Sequence, residues 1–245
     1  MDEPPSPHEL THQPADVGPD QAGDLGPEPG YAPLVARHPF PQFVRRADLT
    51  AKAALFLMLV LALIAPDLGN MEGKGAGLRA IAYPMMAFAI PIVWYVWWRE
   101  RASFPWLADL LVTITCFSDI LGNRLDLYDA IWWFDDWMHF MNNGMLVGAI
   151  ILLTLHRSAT LGAVLERALA FGVTAALTWE LAEYFAFISK SSELQLAYTD
   201  TLGDLTLGTM GSITAAVIIH ASWQRGRIVG SAPHLDHLGH QTVER

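Results

Sequence analysis

The strongest constraint on the fold is a series of six long apolar stretches. They cover residues 49–65, 80–98, 105–122, 138–155, 165–188 and 203–223. A helix rises about 1.5 Å per residue, so about 20 residues cross a hydrocarbon core about 30 Å thick. The chain is 52% hydrophobic and 16% charged, whereas soluble domains average about 25% charged residues. We therefore predict an all-α, polytopic membrane helix bundle with about six transmembrane helices, in preference to a soluble helical core.

Two polar tails flank the predicted bundle. Residues 1–36 carry seven acidic side chains and no Lys or Arg, and such a segment cannot bury enough apolar surface to offset its ordering entropy. We predict a disordered acidic, Pro/Gly-rich cytoplasmic tail over 1–46, a transmembrane domain over 47–223 and a cytoplasmic tail over 224–245. A docking role for the acidic tail is the alternative interpretation.

Basic residues set the orientation. With the amino terminus inside, eleven of the fifteen Lys and Arg residues fall in inner segments and four in outer ones. Cytoplasmic loops of membrane proteins carry such an excess of positive charge. Tryptophans also group near both predicted interfaces, as in aromatic belts. We predict a plasma-membrane protein with both termini cytoplasmic and the bilayer as its first partner.

Ionisable side chains recur at helical spacing near the outer ends of predicted helices three to six. Residues three or four apart share one face of a helix. The pairs on the fourth, fifth and sixth helices are Asp136 with His139, Glu180 with Glu183, and Asp200 with Asp204. Asp135 also lies four residues before His139, and Asp119 belongs to the same layer of the third helix. The topology therefore gathers these groups at one depth.

Buried ionisable groups are costly in a bilayer and tend to find partners inside the bundle. Carboxylate and imidazole ligands suit divalent manganese, iron or zinc. We therefore predict a divalent metal site with the ligands Asp136, His139, Glu180, Glu183, Asp200 and Asp204. Glu180 and Glu183 are the candidate catalytic residues, because one of them can serve as a general base for metal-activated water.

Each pair also has a purely structural interpretation. Asp135, Asp136 and Asp200 stand where helices begin, so they can stabilise free backbone amides there. Glu180 and Glu183 can be hydrogen-bonded to neighbouring helices with one proton shared between them. Glycines on the fourth and sixth helices, including Gly144, Gly148, Gly208 and Gly211, favour close packing of these two helices.

Three segments carry a family resemblance: residues 135–140 (Asp-Asp-Trp-Met-His-Phe), 179–184 (Trp-Glu-Leu-Ala-Glu-Tyr) and 198–204 (Tyr-Thr-Asp-Thr-Leu-Gly-Asp). Together with Gly208 and Gly211 they resemble the YjdF-type family of bacterial inner-membrane proteins. The likeness covers roughly residues 50–222, and more distantly the chain is similar to VanZ-like membrane proteins. The resemblance implies a polytopic protein of the inner membrane and supports the choice of site residues, but it implies no reaction.

Three classes of function follow from these observations. The first is a metal-dependent enzyme acting on a lipid-linked or outer-leaflet substrate. The second is an ion or proton-coupled transporter, and the third is a non-catalytic accessory or assembly protein. The sequence contains no phosphate-binding glycine loop and no basic patch for nucleic acid, so we predict no nucleic-acid partner.

Overall fold

A computed structural model describes residues 42–65, 71, 76–100, 102–186, 188–190 and 197–228. The predicted disordered tail and the predicted C-terminal tail lie almost entirely outside these ranges, so both remain predictions. Residue 42 already begins the first helix.

Each predicted apolar stretch forms a helix, and the regular elements are helical throughout the described ranges. The helices are α1 (Gln42–Ile64), α2 (Ala76–Val93), α3 (Trp106–Arg124), α4 (Leu127–Ala130), α5 (Phe134–Thr154), α6 (Leu161–Ala186) and α7 (Ala197–Gln224). A π-helical turn, Trp94–Trp98, extends α2, and a 3₁₀ turn, Ile188–Lys190, follows α6. Apart from α3, the long helices begin four to seven residues before the predicted stretches, because polar first turns still belong to a helix whose apolar part crosses the bilayer.

Five described helices are long and apolar enough to cross a membrane by length and composition: α1, α2 with its π-helical turn, α5, α6 and α7. The prediction of an all-α polytopic membrane bundle is therefore confirmed. Helix α3 occupies the predicted third position, but it is less apolar because it carries buried Asp109 and Asp119. Many large side chains on the other helices face outward, among them Phe56, Met85 and Phe185, each more than 60% exposed. A bilayer would cover such surfaces.

The bundle has two packed groups of helices. Helix α3 packs against α1 and α2, α7 packs against α5 and α6, and α3 also contacts α5. The long helices, that is all of the described helices except α4, alternate in direction along the chain. The end of α3, the start of α5, the end of α6 and the start of α7 consequently lie at one end of the bundle, hereafter the site end.

The closest helix packing is between α5 and α7. A Cβ atom added at Gly144 would lie 3.0 Å from the carbonyl oxygen of Gly211, and one added at Gly211 would collide with the carbonyl oxygen of Phe140. Only glycine permits this approach of two backbones. The predicted close packing of these helices through glycines is confirmed.

Candidate metal centre

His139 is the centre of a polar cluster at the site end. Its Nε2 atom lies 3.5 Å from Asp135 Oδ1 and 3.6 Å from Asp204 Oδ1. Its Nδ1 atom lies 3.5 Å from Glu180 Oε1. Helices α5, α6 and α7 therefore each contribute a side chain around one imidazole.

Two overlapping groups of side chains here have the composition of a metal site. One group is Asp135, His139 and Asp204, and the other is His139, Glu180 and Glu183. Within each group, one ligand atom per residue lies within 4.8 Å of the others. We call these five residues the His139 cluster.

The contacts within the His139 cluster are longer than ordinary hydrogen bonds. Charged N–H···O contacts usually measure about 2.7–2.9 Å, whereas the three ion-pair distances around His139 are 3.5–3.6 Å. Glu180 Oε1 is buried, and among the described residues it has no hydrogen-bond partner. A buried acceptor without a donor is unfavourable, and a cation placed between these groups would satisfy it.

Burial differs among the five residues. The side chains of Glu180, Asp204 and His139 are 5%, 4% and 11% exposed, whereas that of Asp135 is 45% exposed. Glu183 is half-buried. The cluster is therefore a mostly enclosed site that reaches the surface at Asp135.

A hydrogen-bonded node lies one turn deeper in the same helices. The Asn143 Nδ2 atom lies within hydrogen-bonding distance of three acceptors, the carbonyl oxygens of Gly172 and Gly208, at 3.0 and 2.8 Å, and Ser212 Oγ at 2.9 Å, which share its two hydrogens. It therefore joins α5, α6 and α7 through one buried side chain. Asn143 follows His139 by one turn, and Gly208 follows Asp204 by one turn. The node thus fixes the three helices directly beneath the cluster.

The structure brings together four of the six predicted ligands, His139, Glu180, Glu183 and Asp204. Asp136 and Asp200 are exposed and lie outside both groups. Both are in the first turn of their helices, where a carboxylate interacts favourably with the helix dipole. Asp135, four residues before His139, takes part instead of Asp136.

Asp119 belongs to a different arrangement at the site end, which we call the Asp119 cluster. Its Oδ2 atom accepts from Arg79 Nε at 2.8 Å and from the Tyr83 hydroxyl. Its Oδ1 atom accepts from the Tyr128 hydroxyl at 3.0 Å. Burial raises the pKa of Tyr128 well above its usual range, and the nearby Asp119 carboxylate raises it further. The phenol therefore remains a hydrogen-bond donor.

A third group, the Lys52 cluster, joins α1 to α3 at the opposite end of the bundle. Lys52 Nζ donates to Asp48 Oδ1 at 2.7 Å, to Asp109 Oδ2 at 2.8 Å and to Thr113 Oγ1 at 2.7 Å. Asp48 and Asp109 are each 1% exposed. Within the described ranges, Asp48 Oδ2 and Asp109 Oδ1 have no hydrogen-bond partner.

Neither the burial of Asp109 nor the role of Asn143 as a node was predicted from the sequence. A signal was present for the Lys52 cluster, because Asp48 and Lys52 are four residues apart at the start of one apolar stretch and so share a helix face. No sequence signal identifies the partners of Asn143, since they are a hydroxyl and two backbone carbonyls on distant helices.

The helical bundle and its apolar surface define the class of this protein, an all-α polytopic membrane protein. Residues 47–225 match the family described as "Predicted membrane protein (DUF2238)". Because this match covers more than half of the chain, the protein belongs to that family, and the resemblance to YjdF-type proteins is confirmed. No curated protein and no solved structure gives a significant match to the chain.

Proposed function

We propose that this protein is a metal-dependent membrane enzyme whose divalent metal, manganese, iron or zinc, is held in the His139 cluster. The observation that carries the proposal is the convergence of four carboxylates, from Asp135, Glu180, Glu183 and Asp204, on one imidazole in two groups that share His139, with one ligand atom per residue within 4.8 Å of the others in each group. Nitrogen and oxygen ligands of this kind suit these three metals.

Charge supports a cation in this position. The described ion pairs of the His139 cluster involve His139 alone as the basic partner. Four carboxylates around one imidazole repel one another unless they take up protons or a cation. A divalent ion would neutralise two of these charges and bring ligand atoms that are 3.5–3.6 Å apart onto a common centre.

Rigidity supports a catalytic use of the site. Catalytic groups must be held by neighbouring packing and hydrogen bonds. The Asn143 node and the glycine contacts between α5 and α7 supply that support one turn away. Glu183, which is half-buried, is the candidate general base. It lies at the edge of the cluster, where a proton can pass to solvent.

The position in the bilayer suggests the kind of substrate. With the amino terminus inside, as the basic residues predict, the site end faces the outer leaflet of a bacterial plasma membrane and both termini are cytoplasmic. Trp132, Trp133 and Trp137 are exposed next to the start of α5, and tryptophan favours the membrane interface. A lipid-linked or outer-leaflet substrate would meet the site at this level.

Two alternative functions predict different behaviour. A transporter usually binds its ion near the middle of the membrane, whereas the His139 cluster lies near the ends of its helices. An accessory role would be served by closed hydrogen bonds between helices, whereas the contacts of His139 with the carboxylates around it measure 3.5–3.6 Å.

Metal analysis of the detergent-purified protein tests the proposal. We expect a stoichiometric transition metal in the wild type and its loss in His139→Ala and Asp204→Ala. Asp136→Ala is the matched control, because it removes an exposed carboxylate next to Asp135 and should keep the metal. A wild type that holds no more metal than His139→Ala would refute the metal-dependent function.

A further inference from the structure

The two ring nitrogens of His139 face different carboxylates. Nε2 faces Asp135 and Asp204, and Nδ1 faces Glu180. A neutral imidazole has one N–H donor and one lone pair, so only one nitrogen can bind a metal. The other must donate its hydrogen, and in metal sites it usually donates to a carboxylate or a carbonyl.

The Nε2 side has the properties of the metal-binding side. Carboxylates from two helices, α5 and α7, converge on this single nitrogen at 3.5 and 3.6 Å. Asp135 is the exposed member of the cluster, so a hydrated ion can reach this side from the surface. Two carboxylates would also balance the charge of a divalent ion in a largely buried position.

The Nδ1 side has the properties of the hydrogen-bonding side. Glu180 is 5% exposed at its side chain, and its Oε1 atom lies 3.5 Å from Nδ1. Across the described residues that oxygen accepts no hydrogen bond. A small rotation of the imidazole would turn this contact into an Nδ1–H···Oε1 hydrogen bond, which would fix the tautomer that leaves the Nε2 lone pair free.

We propose, building on the metal-dependent function above, that the metal binds Nε2 of His139 together with Asp135 and Asp204, and that Glu180 is a positioning residue that accepts the Nδ1 hydrogen. Three protein ligands leave coordination positions open, as is typical of catalytic rather than structural zinc sites. Glu183 then stays outside the ligand set and keeps its carboxylate available for proton transfer.

Cobalt substitution distinguishes ligands from the positioning residue. Co²⁺ is added to the metal-free protein in detergent, and its visible absorption spectrum and affinity are recorded. Asp135→Asn and Asp204→Asn should change the spectrum, because they alter the coordination of the ion. Glu180→Gln should keep the wild-type spectrum and weaken binding roughly 10–100-fold, and Glu183→Gln should change neither.

The reverse pattern would overturn the inference and leave the proposed function intact. In that case Glu180→Gln and Glu183→Gln would change the spectrum, and Asp135→Asn and Asp204→Asn would not. If the wild-type protein binds no Co²⁺, the inference and the proposed function both fail.

Nitrogen NMR observes the metal-bound nitrogen directly in the wild type, and His139→Gln serves only to assign the signals. The protein is labelled with ¹⁵N at its histidines and titrated with Zn²⁺, and the His139 signals are those missing from His139→Gln. We expect Nε2 to acquire the shift of a metal-bound nitrogen while Nδ1 keeps its proton. A metal-bound Nδ1 would refute the assignment.

Discussion

The Lys52 cluster and the His139 cluster are both buried, ionic and shared between helices, yet they are built differently. Lys52 lies 2.7–2.8 Å from three oxygens of its cluster, whereas His139 lies 3.5–3.6 Å from the carboxylates around it. The first cluster contains a lysine amine in contact with both carboxylates, and the second contains four carboxylates and an imidazole. These distances distinguish a polar cluster that holds helices together from a polar cluster that has room for an ion.

The Asp119 cluster supports this distinction at the same end of the bundle. Asp119 has a guanidinium partner and two phenol donors, although it lies in the same layer as the His139 cluster. Depth in the membrane therefore does not explain the open contacts around His139. The contacts around His139 are open because its described partners include no permanent cation.

Lys52→Met gives the largest expected effect. It leaves Asp48 and Asp109 buried without their cation, and loss of one partner of a buried ion pair costs about 3–5 kcal/mol. We expect that decrease in the free energy of unfolding, measured in mixed micelles. Arg46→Met, at an exposed position of the same helix, is the control and should change little. A Lys52→Met protein as stable as the wild type would remove the distinction between the clusters.

Tyr128→Phe tests the Asp119 cluster and should have a smaller effect on stability than Lys52→Met. It deletes one of the donors to Asp119 while Arg79 and Tyr83 remain in place. The loss of one hydrogen bond should reduce the free energy of unfolding by about 1 kcal/mol. Tyr95→Phe, on an exposed ring, controls for loss of a hydroxyl. No difference between the two variants would mean that Asp119 does not depend on Tyr128.

Asp204→Asn should give the smallest effect, with the opposite sign. In metal-free protein it removes one of four mutually repelling carboxylates, so we expect a stabilisation of up to about 1 kcal/mol. Asp119→Asn, at the same end of the bundle, should be destabilising because it breaks the pair with Arg79. Thermal unfolding in the presence of a chelator measures both. If both variants are destabilising, the His139 cluster is a closed structural network.

The long helices could be predicted from the sequence because each one requires only a continuous apolar stretch of sufficient length. It also identified His139, Glu180, Glu183 and Asp204 as neighbours, since helix periodicity and alternating direction place them at one end. The choice between Asp135 and Asp136 depended on the rotation of α5 about its axis, which is set by contacts such as that of Gly144 with Gly211. Such contacts join residues far apart in sequence, so no local pattern contains them.

The Asn143 node has a consequence for the biogenesis of the protein. Asn143 and Gly172 are synthesised before α7, which supplies the remaining two acceptors and Asp204. Helices leave the ribosome in chain order, so α5 and α6 enter the membrane with amide hydrogens and a carboxyl group still unmatched. Arrival of α7, the last helix in the described part of the chain, completes the node and the His139 cluster together.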